Sequence, residues 1–279
     1  MMGLLALLVV GALGCGDDGG DGDGGDGGTS NGTTAAVDSG SPIHAVASLM
    51  RLEDSQGPYT EARLIIWTEA TETAQFVDNA SDVEVAFGGT TLQLPARPVD
   101  VGDERETMYF LTSRDSTLAY EPGATYTFSF VVTGRAAGDL DGQAFRLEVV
   151  APEANNNLST ASSPELGSPL DLIPGQTYDA GILEVFRTQS DENTYISYPY
   201  AEQFLTGLDD LMTDHAALSK GGGSILTIPA EAFSRSGTHT VVHIGLVTHL
   251  PGSAQVSDNL GVHSIVYSGA SAQVSVDIP

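Results

Sequence analysis

The feature that most constrains this chain is a period-two alternation of apolar and polar residues, which recurs in several short runs. Tyr126, Phe128, Phe130 and Val132 show it most clearly. Because successive side chains of an extended strand point to opposite faces, this spacing predicts antiparallel strands with one buried face. The same argument predicts strands at Val83–Phe87, Phe145–Val149, Glu61–Thr68, Thr91–Leu94 and Met108–Thr112, separated by turns at Gly88-Gly89, Pro122-Gly123 and Asp141-Gly142.

A second group of strands follows a polar, turn-rich stretch that runs from Glu153 to Ser168. We place a domain boundary just before it, after Ala151, and expect two β modules, residues 43–151 and residues 152–279. Short strands separated by frequent turns are typical of sandwiches. The predicted strands of the second module are Ala180–Phe186, Tyr195–Tyr198, Ile225–Ile228, Thr240–Thr248, Val262–Tyr267 and Val274–Ile278.

One segment of the second module has a helical period instead. Pro199 precedes it, and Lys220 with three glycines follows it, which are residues that begin and end helices. We therefore predict a helix from about Ala201 to Ser219 that packs across an edge or end of a sandwich, the alternative being a helix that binds a partner. Its apolar residues recur at spacings of three and four and are Phe204, Leu205, Leu208, Leu211, Met212 and Leu218.

The end of the first module resembles the last two strands of immunoglobulin-like and fibronectin-like domains. The resemblance is carried by the run from Tyr120 to Tyr126, Tyr-Glu-Pro-Gly-Ala-Thr-Tyr, and by the strand at Phe145–Val150. It implies an all-β fold of two immunoglobulin-like antiparallel β-sandwiches, the second with the inserted helix at 201–219. Tyr126 would lie near the corner tyrosine of those domains, and Trp67 is a candidate core tryptophan. Because the chain has one cysteine, an inter-sheet disulfide of the antibody type is excluded.

The N-terminus has the organisation of an export signal. Leu4–Leu13 is apolar apart from one glycine, and it is shorter than the roughly 20 residues that span a bilayer. The adjoining Ala12-Leu13-Gly14-Cys15 resembles the lipobox of bacterial lipoproteins. This resemblance implies that residues 1–14 are a signal peptide cut before Cys15. It also implies that the Cys15 thiol carries a diacylglyceryl group and that the new amine is often acylated.

Two positions depart from the lipoprotein pattern. Ala12 stands where leucine is usual, and the start Met1-Met2-Gly3 lacks the positive charge expected of a signal peptide. In enteric bacteria an aspartate after the cysteine retains a lipoprotein at the inner membrane, and this chain has Gly16 there. The resemblance therefore implies an outer-membrane location, with the folded body facing the periplasm or the cell surface.

Residues 15–42, which begin with the lipidated Cys15, are predicted to form a tether. Residues 16–28 are only glycine and aspartate, a composition that is too polar and too uniformly charged to offset the entropy of chain ordering. A glycine-rich chain of about 27 residues has a root-mean-square length of about 30 Å. The tether would therefore hold the folded body clear of the lipid headgroups.

The charge of the chain excludes some partners. The formal net charge is -27 and Lys220 is the only lysine, whereas nucleic acids and anionic lipid surfaces attract cationic proteins. The expected partners are membrane lipid, through the acylated Cys15, and an envelope protein or polysaccharide. No cofactor and no metal site are expected.

The histidines of the second module are the residues to test as metal ligands. In the predicted strand Thr240–Thr248, Val242, Ile244 and Leu246 are expected to face inward, so that His239, His243 and His249 face solvent. Residues four apart on a strand are separated by about 13 Å, which is too far for two imidazoles to share one zinc. His263 could approach His243 or His249 from a neighbouring strand, but solvated histidines are the expectation.

The sequence contains none of the motifs H-E-x-x-H, G-x-x-x-x-G-K and C-x-x-C. Asp139-Leu140-Asp141-Gly142 is interpreted as a hairpin turn. The leading hypothesis is a membrane-anchored envelope or surface lipoprotein that acts as a non-catalytic binding or structural module. The alternatives are an adhesin-like module that binds carbohydrate or calcium, and a hydrolase that uses paired carboxylates.

Overall fold

The structure is a computed structural model, and it describes residues 42–54, 56–70, 73–77, 80–101, 104–133, 140–154, 158–176, 178–190, 192–196 and 226–279. These residues form sixteen strands and one short 3₁₀ helix, Ala230–Phe233. The predicted all-β class is confirmed. The strands are β1 (Ile43–Asp54), β2 (Gly57–Ala70), β3 (Thr73–Phe76), β4 (Ala80–Phe87), β5 (Thr90–Gln93), β6 (Ala96–Val101), β7 (Glu104–Thr112), β8 (Thr125–Val132), β9 (Ala144–Val150), β10 (Ser159–Thr160), β11 (Leu170–Ile173), β12 (Ala180–Arg187), β13 (Glu192–Ile196), β14 (Leu226–Ile228), β15 (Gly237–His249) and β16 (Ile265–Ile278).

The period-two runs of the sequence form strands with one buried face. In β8 the four alternating residues from Tyr126 to Val132 are all buried, while their neighbours are exposed or half-buried. Strands β4 and β9 show the same alternation. The predicted helix at 201–219 lies outside the described residues.

Nine strands form one large sheet. Their order is β13-β12-β15-β16-β1-β2-β7-β6, with β3 paired to β2. β16 pairs in parallel with β1, from Val46 opposite Ile265 to Arg51 opposite Ala270. β2 pairs antiparallel with the whole of β1. Strands from both predicted modules therefore share one continuous sheet, a connection that the strand pattern in the sequence did not predict.

Two smaller sheets pack on one face of the large sheet, here named the inner face. One has the order β5-β4-β8-β9 and the other the order β10-β11-β14. The first sheet meets Ala45, Ala47 and Leu49 of β1 in one hydrophobic cluster. The second meets Leu183, Val185, Val241, Ala272 and Val276 in another. The fold is thus two sandwiches that use different parts of the same large sheet.

A tyrosine fastens the loop that leads into β8. The Tyr126 hydroxyl donates to the carbonyl oxygen of Ala119 at 2.6 Å and accepts from the backbone N–H of Glu121 at 2.9 Å. A hydroxyl that bonds to backbone a few residues upstream is the geometry of a tyrosine corner. The position that the sequence resemblance assigned to Tyr126 has this geometry.

The two hydrophobic clusters do not divide strictly by sequence. Val256 and Leu260, from the loop between β15 and β16, belong to the cluster built mainly from residues 43–151. The isolated bridge between Ile43 and Leu260 extends the β1 side of the sheet. The boundary after Ala151 stays a prediction.

Two of the central strands differ from their sequence-based description. The alternation pattern predicted no strand at the residues of β1. It also divided β16 into separate strands, Val262–Tyr267 and Val274–Ile278, and this division is wrong because one strand runs from Ile265 to Ile278. The physical reason is burial on both faces: the first eight residues of each strand are buried, and such strands do not alternate.

Candidate functional site on the outer face

The face of the large sheet opposite the two small sheets, here named the outer face, carries a buried polar group. The strand register places Ser48 of β1 between Arg63 of β2 and Tyr267 of β16, and all three are buried. Polar side chains enclosed by apolar ones are costly and so are candidates for function. The apolar neighbours on this face are Val46, Met50, Ile65, Ile244, Leu246 and Ile265, all buried.

Glu61 and Arg63 form a buried ion pair on β2. They are two residues apart, so they lie on the same face of the strand, and the Arg63 guanidinium contacts the Glu61 carboxylate. The guanidinium carbon also lies 5.5 Å from the centre of the Phe110 ring. Burial raises the pKa of the Glu61 carboxyl by more than Arg63 lowers it. Enclosing the two groups therefore has a desolvation cost, which is typical of buried salt bridges.

Tyr267 lies beside this pair in the centre of the sheet. A side-chain hydrogen bond joins it to Ser48, and burial raises the pKa of its hydroxyl. Tyr267 is therefore a neutral hydrogen-bonding group at neutral pH. Together the four residues make a polar cluster that contains one ion pair, Glu61 with Arg63, and one side-chain hydrogen bond, Tyr267 with Ser48.

Glu184 is the second buried carboxyl of the outer face. It lies on β12, in register with Val242 of β15 and Ile196 of β13. Burial alone raises its pKa from 4.5 to about 7. This carboxyl therefore changes its protonation near neutral pH.

The two buried carboxyls cannot act as a catalytic pair. Three strands, β15, β16 and β1, separate β12 from β2. At about 4.8 Å per strand, Glu184 and Glu61 lie about 19 Å apart across the sheet. Paired carboxylates that cleave glycosidic bonds stand about 5–9.5 Å apart. The hypothesis of a carboxylate-based hydrolase gains no support from these two residues.

The expectation that His239 and His243 face solvent is wrong. Both are fully buried on the inner face, because the odd-numbered residues of β15 face the small sheet and the even-numbered ones face outward. His243 packs edge-on against the Tyr178 ring, with the ring centres 5.6 Å apart. Burial lowers the pKa of His243 to about 4, so it is neutral at pH 7. Within the described residues, neither of its ring nitrogens has a hydrogen-bond partner.

His263 lies near His44 rather than near His243 or His249. The His44 and His263 ring centres are 5.1 Å apart, and the His263 backbone N–H donates to His44 Nδ1 at 3.3 Å. His44 also stacks on Trp67 at 5.3 Å. Trp67 therefore lies on the outer face, in register with His44, and the expectation that it is a core tryptophan of a sandwich is wrong.

The remaining sequence-based candidates gain little from the structure. Cys15 and Asp139 lie outside the described residues, and Asp141 is exposed in a turn before β9. In the part of the chain that the structure describes, no group of three or more His, Cys, Asp or Glu residues could hold a metal ion. A search of that same part finds no helix with the length and apolarity needed to cross a membrane.

Comparison with known proteins adds little to this description. No family model matches the chain, and no curated protein matches it. Among solved structures it is similar to the full ectodomain, Ig1–Ig3, of mouse nectin-like molecule 4, with 10% identity and a TM-score of 0.26. The match covers 85% of this chain and 65% of that one. At this TM-score the two molecules do not superpose closely, and the all-β class rests on the observed strands.

Proposed function

We propose that this chain is a lipid-anchored protein of the outer membrane whose folded body is a non-catalytic binding or structural module. The observation that carries the proposal is the order of segments along the chain. An apolar stretch, the single cysteine Cys15 and a run of only glycine and aspartate precede the first strand. Acyl chains on one cysteine hold a protein at a membrane because each buried methylene contributes about 0.8 kcal/mol.

The position of the strand that follows the tether supports the proposal that the folded body is held at the membrane through the tether. The tether leads into Ile43, the first residue of β1, and β1 is an interior strand of the large sheet. β1 has twelve paired residues with β2 and six with β16. A pull through the tether would therefore be shared by hydrogen bonds on both sides of one strand.

The placement of the titratable groups supports a non-catalytic role. Glu184 and His243 have strongly shifted pKa values, about 7 and about 4, and shifted groups are often catalytic. Both side chains are buried, and the cause of both shifts is burial. A general acid or base must reach the proton that it transfers, which these two enclosed groups do not do.

The anchor is tested by replacing the cysteine. We expect Cys15→Ser to move the protein from the membrane fraction to the soluble periplasm, because the thiol that accepts the lipid is gone. The matched control adds Ser30→Cys to Cys15→Ser, which restores a thiol at another position of the tether and should stay soluble. Mass spectrometry of the wild-type N-terminal peptide should show an acylated Cys15. An unmodified Cys15, or a mature start elsewhere, would overturn the proposed anchor.

The binding role is tested separately by co-purification from detergent-solubilised envelope. The control bait is an unrelated soluble domain fused to residues 1–42, so that both baits carry the same signal and tether. A partner retained by the wild-type chain and not by the control supports a binding module. Equal retention by both baits would contradict binding through the folded body.

A further inference from the structure

The outer strands of the three sheets differ in how they are protected against pairing with another chain. An unpaired sheet edge offers backbone N–H and C=O groups to a strand of a second molecule, and short length, proline and bulges are common protections. Among the described strands, β3, β5, β10 and β14 are two to four residues long. β6 contains Pro98, and the register of β12 with β13 shifts between Val185 and Phe186.

Of the outer strands that the structure describes, β9 is the one with none of these protections. It has seven residues without proline, and its register with β8 is regular from Ala144 to Val150. Its charged residues, Arg146 and Glu148, have opposite signs, so they do not repel a second copy of the same strand. β9 is therefore the edge at which we expect this fold to add a strand.

The loop between β15 and β16, residues 250–264 and here named the strap, occupies the edge of β9. The backbone N–H of Glu148 donates to the carbonyl oxygen of Gln255 at 2.7 Å. The backbone N–H of Ser257 donates to the carbonyl oxygen of Arg146 at 3.0 Å, and the Ser257 hydroxyl accepts from the Arg146 N–H at 2.8 Å. The strap thus bonds backbone groups of β9 that face away from β8.

Apolar side chains of the strap also complete the first hydrophobic cluster. Val256 forms an isolated bridge with Leu147 and is 2% exposed, and Leu260 belongs to the same cluster. Near the end of the strap, the Gly261 N–H donates to the carbonyl oxygen of Ile43 at 2.7 Å. The strap is therefore held by buried side chains as well as by backbone hydrogen bonds.

The strap nevertheless lies at the surface of the molecule. Ala254 and Asp258, on either side of its contact with β9, are exposed. The Arg146 side chain of β9 is exposed as well, at 61%. Release of the strap would therefore open the edge of β9 to solvent.

We infer that the strap guards this edge, and that β9 freed from the strap pairs antiparallel with β9 of a second copy of the chain. The strap has the advantage because both of its ends are joined to the folded body, so that its binding is intramolecular. A second copy loses translational and rotational freedom when it binds. The inference goes beyond the proposed function and does not depend on the lipid anchor.

β9 is complementary to itself in the antiparallel direction. When Leu147 of one copy lies opposite Leu147 of the other, Arg146 lies opposite Glu148 in both halves of the pair. Opposite charges that face each other on neighbouring strands are stabilising. This register uses the same outward-facing backbone groups of Arg146 and Glu148 that the strap bonds. The strap and a second copy therefore exclude each other.

The test releases the strap in the full chain, in detergent, and measures association by sedimentation velocity over a concentration series. Val256→Asp places a charge in the hydrophobic cluster, and we expect it to expel the strap and to strengthen self-association severalfold. The matched control Ala254→Asp adds the same charge at an exposed position of the strap and should associate as the wild type does. All variants keep the same N-terminus, so association through that segment cancels in the comparison.

Far-UV circular dichroism and a cooperative urea transition check that each variant is folded. If Val256→Asp does not fold, Ser257→Ala gives a milder form of the test, because it removes the hydroxyl that accepts from the Arg146 N–H. We expect Ser257→Ala to strengthen association in the same direction and by less.

The register of the pair is tested by reversing its charges in the background with the released strap. We expect Arg146→Glu to weaken the association severalfold, because it places acidic side chains opposite each other. Adding Glu148→Arg should restore the association, since opposite charges face each other again. The control Arg235→Glu, at an exposed position before β15, changes the net charge equally and should have no effect.

Four results would overturn the inference. One is association at the wild-type level in the folded variants that release the strap. Another is equal strengthening by Ala254→Asp. A third is a loss of association that Arg235→Glu reproduces or that Glu148→Arg does not restore. The last is a wild-type association that Arg146→Glu weakens, which would show that β9 pairs while the strap is in place.

Discussion

Tyr126 shows how one side chain holds a loop in place. Its hydroxyl makes two hydrogen bonds to backbone groups of Ala119 and Glu121. We expect Tyr126→Phe to lower the free energy of unfolding by about 1–3 kcal/mol, because both backbone groups lose their partner. Urea denaturation at 25 °C measures this loss. The control Tyr59→Phe, at a half-buried ring, should change stability by less than about 0.5 kcal/mol; equal losses would contradict the role of the corner.

Glu184 makes stability depend on pH. Burial raises its pKa from 4.5 to about 7, so between these values the folded state holds a proton that the unfolded state releases. The contribution of Glu184 is therefore fully present below pH 4.5 and is lost as pH rises to about 7. The full loss amounts to at most about 3.4 kcal/mol, from a pKa difference of about 2.5 between the two states at 1.36 kcal/mol per pKa unit.

Replacing Glu184 tests this linkage. We expect Glu184→Gln to flatten the fall in unfolding free energy between pH 4.5 and pH 7, as measured by urea denaturation at a series of pH values. The control Glu165→Gln, at an exposed loop position, should keep the wild-type slope. A wild-type slope in Glu184→Gln would contradict the shifted pKa.

At the scale of elements, β15 depends on a close approach at Gly245. A Cβ there would lie 2.3 Å from ring atoms of Tyr178, which packs on the inner face of the strand. We expect Gly245→Ala to lower the free energy of unfolding by about 1–3 kcal/mol, because overpacking forces the ring to move. In a Tyr178→Ala background the same change should cost clearly less, since the ring is absent. Additive losses in the double-mutant cycle would contradict this contact.

The element scale also shows where sequence patterns lose information. β8 was predicted because one face packs in the core and the other is partly exposed, so its residues alternate. β1 was missed because His44 and Val46 on its outer face are as buried as Ile43 and Ala45 on its inner face. Alternation reports a difference between two faces, and a strand with no such difference gives no signal.

The candidate site was hidden for a related reason. Glu61 and Arg63 lie in a predicted strand, in phase with Ile65 and Trp67. Opposite charges two residues apart beside apolar residues were the available signal for a buried pair. The sequence could not show that this face is covered, because that depends on residues far away along the chain.

At the scale of the whole molecule, the shared sheet joins the two hydrophobic clusters. β1 belongs to one cluster and β16 contributes to both, and the two strands are hydrogen-bonded. We expect the folded body to unfold in a single transition, because losing one cluster exposes the sheet that supports the other.

Pulsed hydrogen exchange across a urea series measures this coupling. Phe128→Ala, which empties a buried position of the first cluster, should cost about 3–5 kcal/mol. It should lower the urea midpoint for protection of β11, in the second cluster, as much as that of β8. The matched variant Phe233→Ala, in the second cluster, should lower the urea midpoint for protection of β8 as much as that of β11. A shift confined to the strands of the altered cluster would contradict a single cooperative unit.

Local sequence determined the all-β class, most strand positions and the corner at Tyr126, because alternation and turn residues act over a few neighbouring positions. Only the tertiary structure decided that β1 and β16 pair in parallel, that His239 and His243 are buried, and that Ser48, Glu61, Arg63 and Tyr267 come together. These outcomes depend on which strands become neighbours and on which face of each strand is buried. Both are decided by contacts between residues more than two hundred positions apart, such as Val46 and Ile265. Period-two patterning contains no information about such contacts.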